Sequence, residues 1–112
     1  MLEMIKMEAE RKGYLVEIKN DYEAFINTEE LQFVIDLLDN FVKISNQSIQ
    51  VIVWFEKNIP SGVNWFMVDW HRLLQNIVPL NKIEQTKMLM NTLNSLGLSS
   101  EDILLLVSKI KY

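Results

Sequence analysis

The sequence predicts a single α+β domain over residues 1–112: a small, mostly antiparallel sheet of three or four strands packed with four or five helices. Three observations lead there. A chain of 112 residues has room for one core and not for two. Ile49 to Glu56 is almost wholly apolar and rich in β-branched and aromatic residues, the pattern of a strand. Elsewhere apolar residues recur at spacings of three and four, the period of a helix.

Taken in order, residues 2–12 form a short amphipathic helix, with Leu2, Ile5 and Ala9 on one stripe and Gly13 as the stop. Tyr14 to Lys19 and Tyr22 to Ile26 are two strands around an Asn20-Asp21 turn. Asn27 or Thr28 then caps a helix running to about Ile44, with Glu29 and Glu30 in its first turn. Leu31, Val34, Ile35, Leu38, Phe41 and Val42 mark its buried stripe. After a polar break at residues 45–48 comes the strand Ile49 to Glu56, predicted to be buried on both faces. Asn58 to Gly62 is a turn.

Residues 63–77 admit two readings. In one, Val63 to Val68 returns as the second strand of a hairpin and Asp69 caps a short helix from Trp70. In the other, Val63, Phe66, Met67, Trp70, Leu73, Leu74 and Ile77 form one helical face, which Trp65 and Val68 contradict. The hairpin is the preferred reading. Asn81 caps a helix through Leu96, closed by Gly97. Ser99 caps a last helix with Glu101 and Asp102 in its first turn and Lys109 and Lys111 in its last.

Composition excludes several chemistries. Without cysteine there is no disulfide scaffold, thiol nucleophile or iron–sulfur ligation. One histidine leaves only scattered carboxylates for a transition metal, so no metal and no cofactor is expected. The amino terminus lacks the apolar run of a signal peptide. The longest apolar runs, Val51 to Phe55 and Ile103 to Val107, fall far short of the roughly 20 residues of a membrane span. A cytoplasmic, non-membrane protein is expected, and the Ile, Leu, Lys and Asn bias fits a bacterial or phage genome.

Net charge is −4, divided as −6 over residues 1–56 and +2 over residues 57–112. An acidic half disfavours nucleic acid and favours a basic protein partner, although a merely solvated surface that keeps the chain soluble is the simpler account.

No catalytic residue is predicted. His71 has no carboxylate at helical spacing to orient it and no nearby serine to activate, so an exposed histidine accounts for it. Asp36 and Asp39 lie on the polar side of their predicted helix, where solvent keeps carboxylates from acid–base work. The three glycines stand apart at 13, 62 and 97 and form no phosphate-binding loop. The two last helices have the outline of a helix-turn-helix, yet Ser99, Ser100, Glu101 and Asp102 at the reading end would repel phosphate.

The aromatic residues carry the most information. If residue 56 faces 63 across a hairpin, Trp54 faces Trp65 and Ile52 faces Met67 on one side of the sheet. Val53 with Phe66 and Val51 with Val68 make the core on the other. The first side is an apolar centre rimmed by Gln50, Glu56 and Asp69, the anatomy of a protein interface. The competing account is that the carboxy-terminal helices cover it as a second core layer. An exposed Trp65 implies that Trp65→Ala costs less than about 1.5 kcal/mol.

The predicted partner-binding residues are therefore Trp54, Trp65, Met67, Ile52, Glu56 and Asp69. The expected function is non-catalytic protein binding by a small acidic inhibitor, an antitoxin- or immunity-like protein, or a phage accessory protein. The alternatives are a homodimeric structural or assembly subunit that closes through the same patch, and a transcription regulator acting through the carboxy-terminal helices.

Overall fold

Six segments of the chain extend and pair with one another. The computed structural model describes residues 1–110. In chain order the elements are helix α1 (Leu2–Arg11), strands β1 (Leu15–Ile18), β2 (Glu23–Asn27), β3 (Gln32–Asp36), β4 (Phe41–Ser45) and β5 (Ile49–Phe55), a 3₁₀ turn (Trp65–Met67), helices α2 (Trp70–Ile77) and α3 (Lys82–Ser95), and strand β6 (Ile103–Lys109). The strands form one antiparallel sheet in the order β1-β2-β3-β4-β5-β6. The α+β class stands, but the prediction of three or four strands with four or five helices does not: the described residues form six strands and three α-helices.

Two predicted helices are strands. The helix expected over residues 27–44 is the β3–β4 hairpin. Its apolar residues fall at helical spacing only because the strands are apolar on both sides. Phe33, Ile35, Val42 and Ile44 face the core, while Val34 and Phe41 face the other way. Thr28 and Asp36, which suit a helix start and a helix surface, instead hold turns. Thr28 Oγ1 accepts from the Glu30 and Leu31 N–H groups, and Asp36 Oδ1 accepts from those of Leu38 and Asp39. Asn40 completes the second turn at φ 58°, a left-handed conformation that asparagine tolerates.

The helix expected from Ser99 is strand β6. Residues 99–102 close a turn, with the Asp102 N–H donating to the Ser99 carbonyl at 3.2 Å, so the acids precede a strand. Lys111 lies outside the described residues.

Residues 63–68 do not form a hairpin strand with β5. The neighbour that β5 takes on that side is β6. The segment packs as the 3₁₀ turn, capped by Asn64 Oδ1 accepting from the Phe66 N–H. Nor is β5 buried on both faces: Ile49, Val51, Val53 and Phe55 are buried, and the residues between them are half-buried.

The other elements agree with the sequence. Asn20 Oδ1 accepts from the Tyr22 N–H in the β1–β2 turn. Asp69 and Asn81 cap α2 and α3 by accepting from the Arg72 and Glu84 N–H groups. Helices α1 and α3 end alike, on Gly13 and Gly97 at φ 82° and 88°. In each the following residue reaches back five positions, Tyr14 N–H to Ala9 O and Leu98 N–H to Leu93 O. That closure requires a left-handed residue and places an apolar side chain against the helix it ends.

All three helices lie on one side of the sheet. Ala9 of α1, Trp70, Leu74 and Ile77 of α2, and Leu89 and Leu93 of α3 join the core-facing residues of β2 to β6 in a single cluster. Among the described residues, no helix is long and apolar enough to cross a membrane.

Candidate functional site

With every helix on one side, no helix or loop of the described residues lies over the opposite face of the sheet. Strand register arranges the side chains of that face in rows. One runs Glu23, Asp36, Phe41, Trp54, Leu104 from β2 to β6. The next runs Glu17, Phe25, Val34, Lys43, Ile52, Leu106 from β1 to β6. A third, of Asn27, Gln32, Ser45, Gln50 and Ser108, is polar from β2 to β6 and ends at β1 on Leu15, which is 75% exposed.

The face is graded. Toward β1 it is screened by charge: Lys19 Nζ sits 5.0 Å from the centre of the Phe25 ring and pairs with Glu17 at 2.9 Å. Toward β6 the apolar surface is open. Phe41 and Trp54 pack ring to ring at 4.9 Å, Ile52 is half-buried beside them, and Leu104 and Leu106 are 68% and 45% exposed. Lys43 stands half-buried amid this apolar surface, and among the described residues no carboxylate pairs with it. Five apolar side chains thus converge at the β4–β6 end, with polar and acidic residues around them, as in the centre and rim of an interface.

The six residues predicted for an interface are not brought together. Trp54 and Ile52 lie on the open face, with exposed Glu56 just beyond the end of β5. Trp65 is 2% exposed in the core, edge-on to Phe55 at 6.2 Å and stacked on Trp70 at 6.3 Å. Its carbonyl accepts from Trp70 Nε1–H at 2.6 Å. Met67 is exposed, but it follows Trp65 and Phe66 in a turn whose rings pack on the helical side. Asp69 caps α2 on that side as well. The pairing of Trp54 with Trp65 and of Ile52 with Met67 fails because β6 takes the position at the edge of β5. The cross-sheet partners are Leu104 and Leu106. These two and Phe41 were missed because both of their segments were read as helices.

Several clefts lie elsewhere, two of which bear on function. One of about 210 Å³ opens between α1 and residues 60–66, with Met1, Met4, Ile5, Val63 and Trp65 in its walls. The other, of about 400 Å³, lies between the Thr28–Leu31 turn and the start of α2. There His71 Nε2 is 3.5 Å from Glu30 Oε2. The histidine therefore has a carboxylate neighbour that no local spacing announces. The aliphatic hydroxyl in the wall of the same cleft, Thr28 Oγ1, accepts two backbone N–H groups of its own turn. The pair of carboxy-terminal helices that a DNA-reading mode needs is not formed, since residues 103–109 are a strand.

Comparison of the chain with protein-family models, with characterised proteins and with solved structures gives no match.

Proposed function

We propose that the protein is a non-catalytic protein-binding module that docks on its partner through the uncovered sheet face around Trp54. The observation that carries this reading is a face with no helix of the described residues over it, on which five apolar side chains, Phe41, Ile52, Trp54, Leu104 and Leu106, adjoin one another at the β4–β6 end, while exposed Leu15 stands apart at the β1 edge. Paired aromatic rings on a rigid sheet are pre-organised, so little side-chain entropy is lost on binding them. Strands β1 to β5 belong to the acidic half of the chain, with Glu17, Glu23 and Glu56 around the face. The partner of this chemistry is a protein with an apolar knob in a basic surround, drawn in by charge and held by the aromatic centre. Such a mode of action suits an inhibitor, an antitoxin- or immunity-like protein, or a phage accessory protein.

The test is affinity capture from native lysate by the wild-type chain and by Trp54→Ala, Ile52→Thr and Met67→Ala, each checked for folding by circular dichroism. The expected result is one stoichiometric protein retained by wild type and by Met67→Ala, on the helical side, and lost with Trp54→Ala and Ile52→Thr. Capture indifferent to the sheet-face substitutions overturns the reading.

A further inference from the structure

The sheet has two edges, and they are unlike. At β1 the edge is four residues long, adjoins α1, and carries the Glu17–Lys19 ion pair, features that blunt pairing with another chain. At β6 it is seven residues long, Ile103–Lys109, and from Ile103 to Ser108 it has no charge and no proline. Among the described residues no strand pairs with its outer side.

The direction of its free backbone groups follows from the phase of the ladder. The Glu56 N–H donates to the Asp102 carbonyl and the Ile110 N–H to the Ser48 carbonyl, so even-numbered residues of this segment bond inward to β5. In an antiparallel ladder the alternate residues then point outward. Ile103, Leu105, Val107 and Lys109 turn their N–H and C=O groups away from the sheet, a complete template for one more strand.

We infer that this edge pairs with β6 of a second copy, antiparallel and centred on Leu105, so that one continuous sheet runs through both copies. Three features of the strand select this occupant. Acidic Glu101 and Asp102 precede it and basic Lys109 ends it, so antiparallel self-pairing sets each Lys109 beside the other copy's acidic turn. Parallel pairing would instead set like charges together. A centre at Leu105 opposes outward-pointing backbone groups to each other. The same register sets exposed Leu104 against Leu106 of the second copy, extending the apolar row across the junction. A two-fold axis through Leu105 uses each contact twice and closes the assembly as a dimer, with no edge left for growth at β6. The inference concerns the edge and does not depend on what the open face binds.

Sedimentation equilibrium of the full chain tests it, with Lys109→Glu and with Lys109→Glu combined with Glu101→Lys. Both positions are exposed, so the fold should tolerate either exchange. A dimer is expected for wild type. Lys109→Glu should weaken it about tenfold, because two attractions per dimer become two repulsions. The double variant should recover most of that loss. Monomer throughout up to about 200 μM, about two hundredfold above a micromolar dissociation constant, overturns the inference. So does a dimer that the single exchange does not weaken, or whose weakening the second exchange does not relieve. Trp54→Ala, which tests the face, should leave the dimer unchanged.

Discussion

Trp54 and Phe55 are neighbours in the chain whose rings lie on opposite sides of the sheet: Trp54 packs on Phe41 at 4.9 Å across the open face, and Phe55 meets Trp65 edge-on at 6.2 Å inside the core. One peptide bond in β5 thus separates the proposed binding surface from the packing that supports it. Substitutions on the two sides should differ in what they damage.

Trp65→Ala removes a ring that is almost wholly buried and leaves a cavity against Phe55 and Trp70. The expected loss of stability is about 3–5 kcal/mol, well above the limit of about 1.5 kcal/mol that an exposed Trp65 implies. Trp54→Ala should cost only about 1–2 kcal/mol, since its ring is half-buried and has no helix above it. Urea unfolding of the two variants measures both; equal losses would contradict this division of the tryptophans.

Lys43 is a half-buried cation among Val34, Ile52 and Phe41. Replacing it with methionine keeps the length of the side chain and removes the cost of partly desolvating the charge. Lys43→Met should raise the melting temperature of the free chain, by about 0.5 kcal/mol in stability. A drop in melting temperature would show that the ammonium group is better accommodated than its surroundings imply.

The Asp39-Asn40 corner of the β3–β4 hairpin depends on a left-handed residue. Asn40→Gly should leave stability within about 0.5 kcal/mol, whereas Asn40→Val, which brings a β-branched side chain to positive φ, should cost about 1–3 kcal/mol. Thermal melts of the two variants make the comparison.

Helix α2 spans only Trp70–Ile77 and relies on Asp69 at its start, where the carboxylate accepts from the Arg72 N–H at 3.2 Å. Asp69→Ala should destabilise the protein by about 1 kcal/mol and Asp69→Asn by much less, because asparagine caps nearly as well. Matching losses for both would assign Asp69 a charge role in place of a capping one.

The elements that could be read from the sequence are those whose local chemistry has a single meaning. Asn81 before Lys82–Ser95 and Gly97 after it allow only a helix, and Asn20-Asp21 between two short alternating runs allows only a turn. Residues 31–44 and 99–109 are different. Leu31, Val34, Ile35, Leu38 and Phe41 satisfy a helical stripe as well as they satisfy a hairpin whose two faces are both apolar. The telling signals were the paired Asp36 and Asp39-Asn40 corner and the β-branched content of residues 33–44. In 103–109 the leucines favour helix in isolation, and only the vacant edge of β5, a tertiary fact, makes them a strand. The site followed the same rule. Trp54 and Ile52 lie on a strand, β5, whose place the sequence shows. Phe41, Leu104 and Leu106 came from the misread segments, and Trp65 was assigned through a pairing that β6 pre-empts.

Strands β1 to β5 are joined by short turns, whereas β5 and β6 are adjacent in the sheet but separated along the chain by residues 56–102. The first five strands can zip from neighbour to neighbour at small entropic cost. The last must wait until both intervening helices have brought it back, a long loop closure that lowers the folding rate. Refolding should therefore be biphasic in structure if not in amplitude: a rapid meander, then arrival of β6. Until that strand arrives, β5 is itself a bare edge, and crowding during synthesis would favour copies that exchange their final strands over copies that each keep their own.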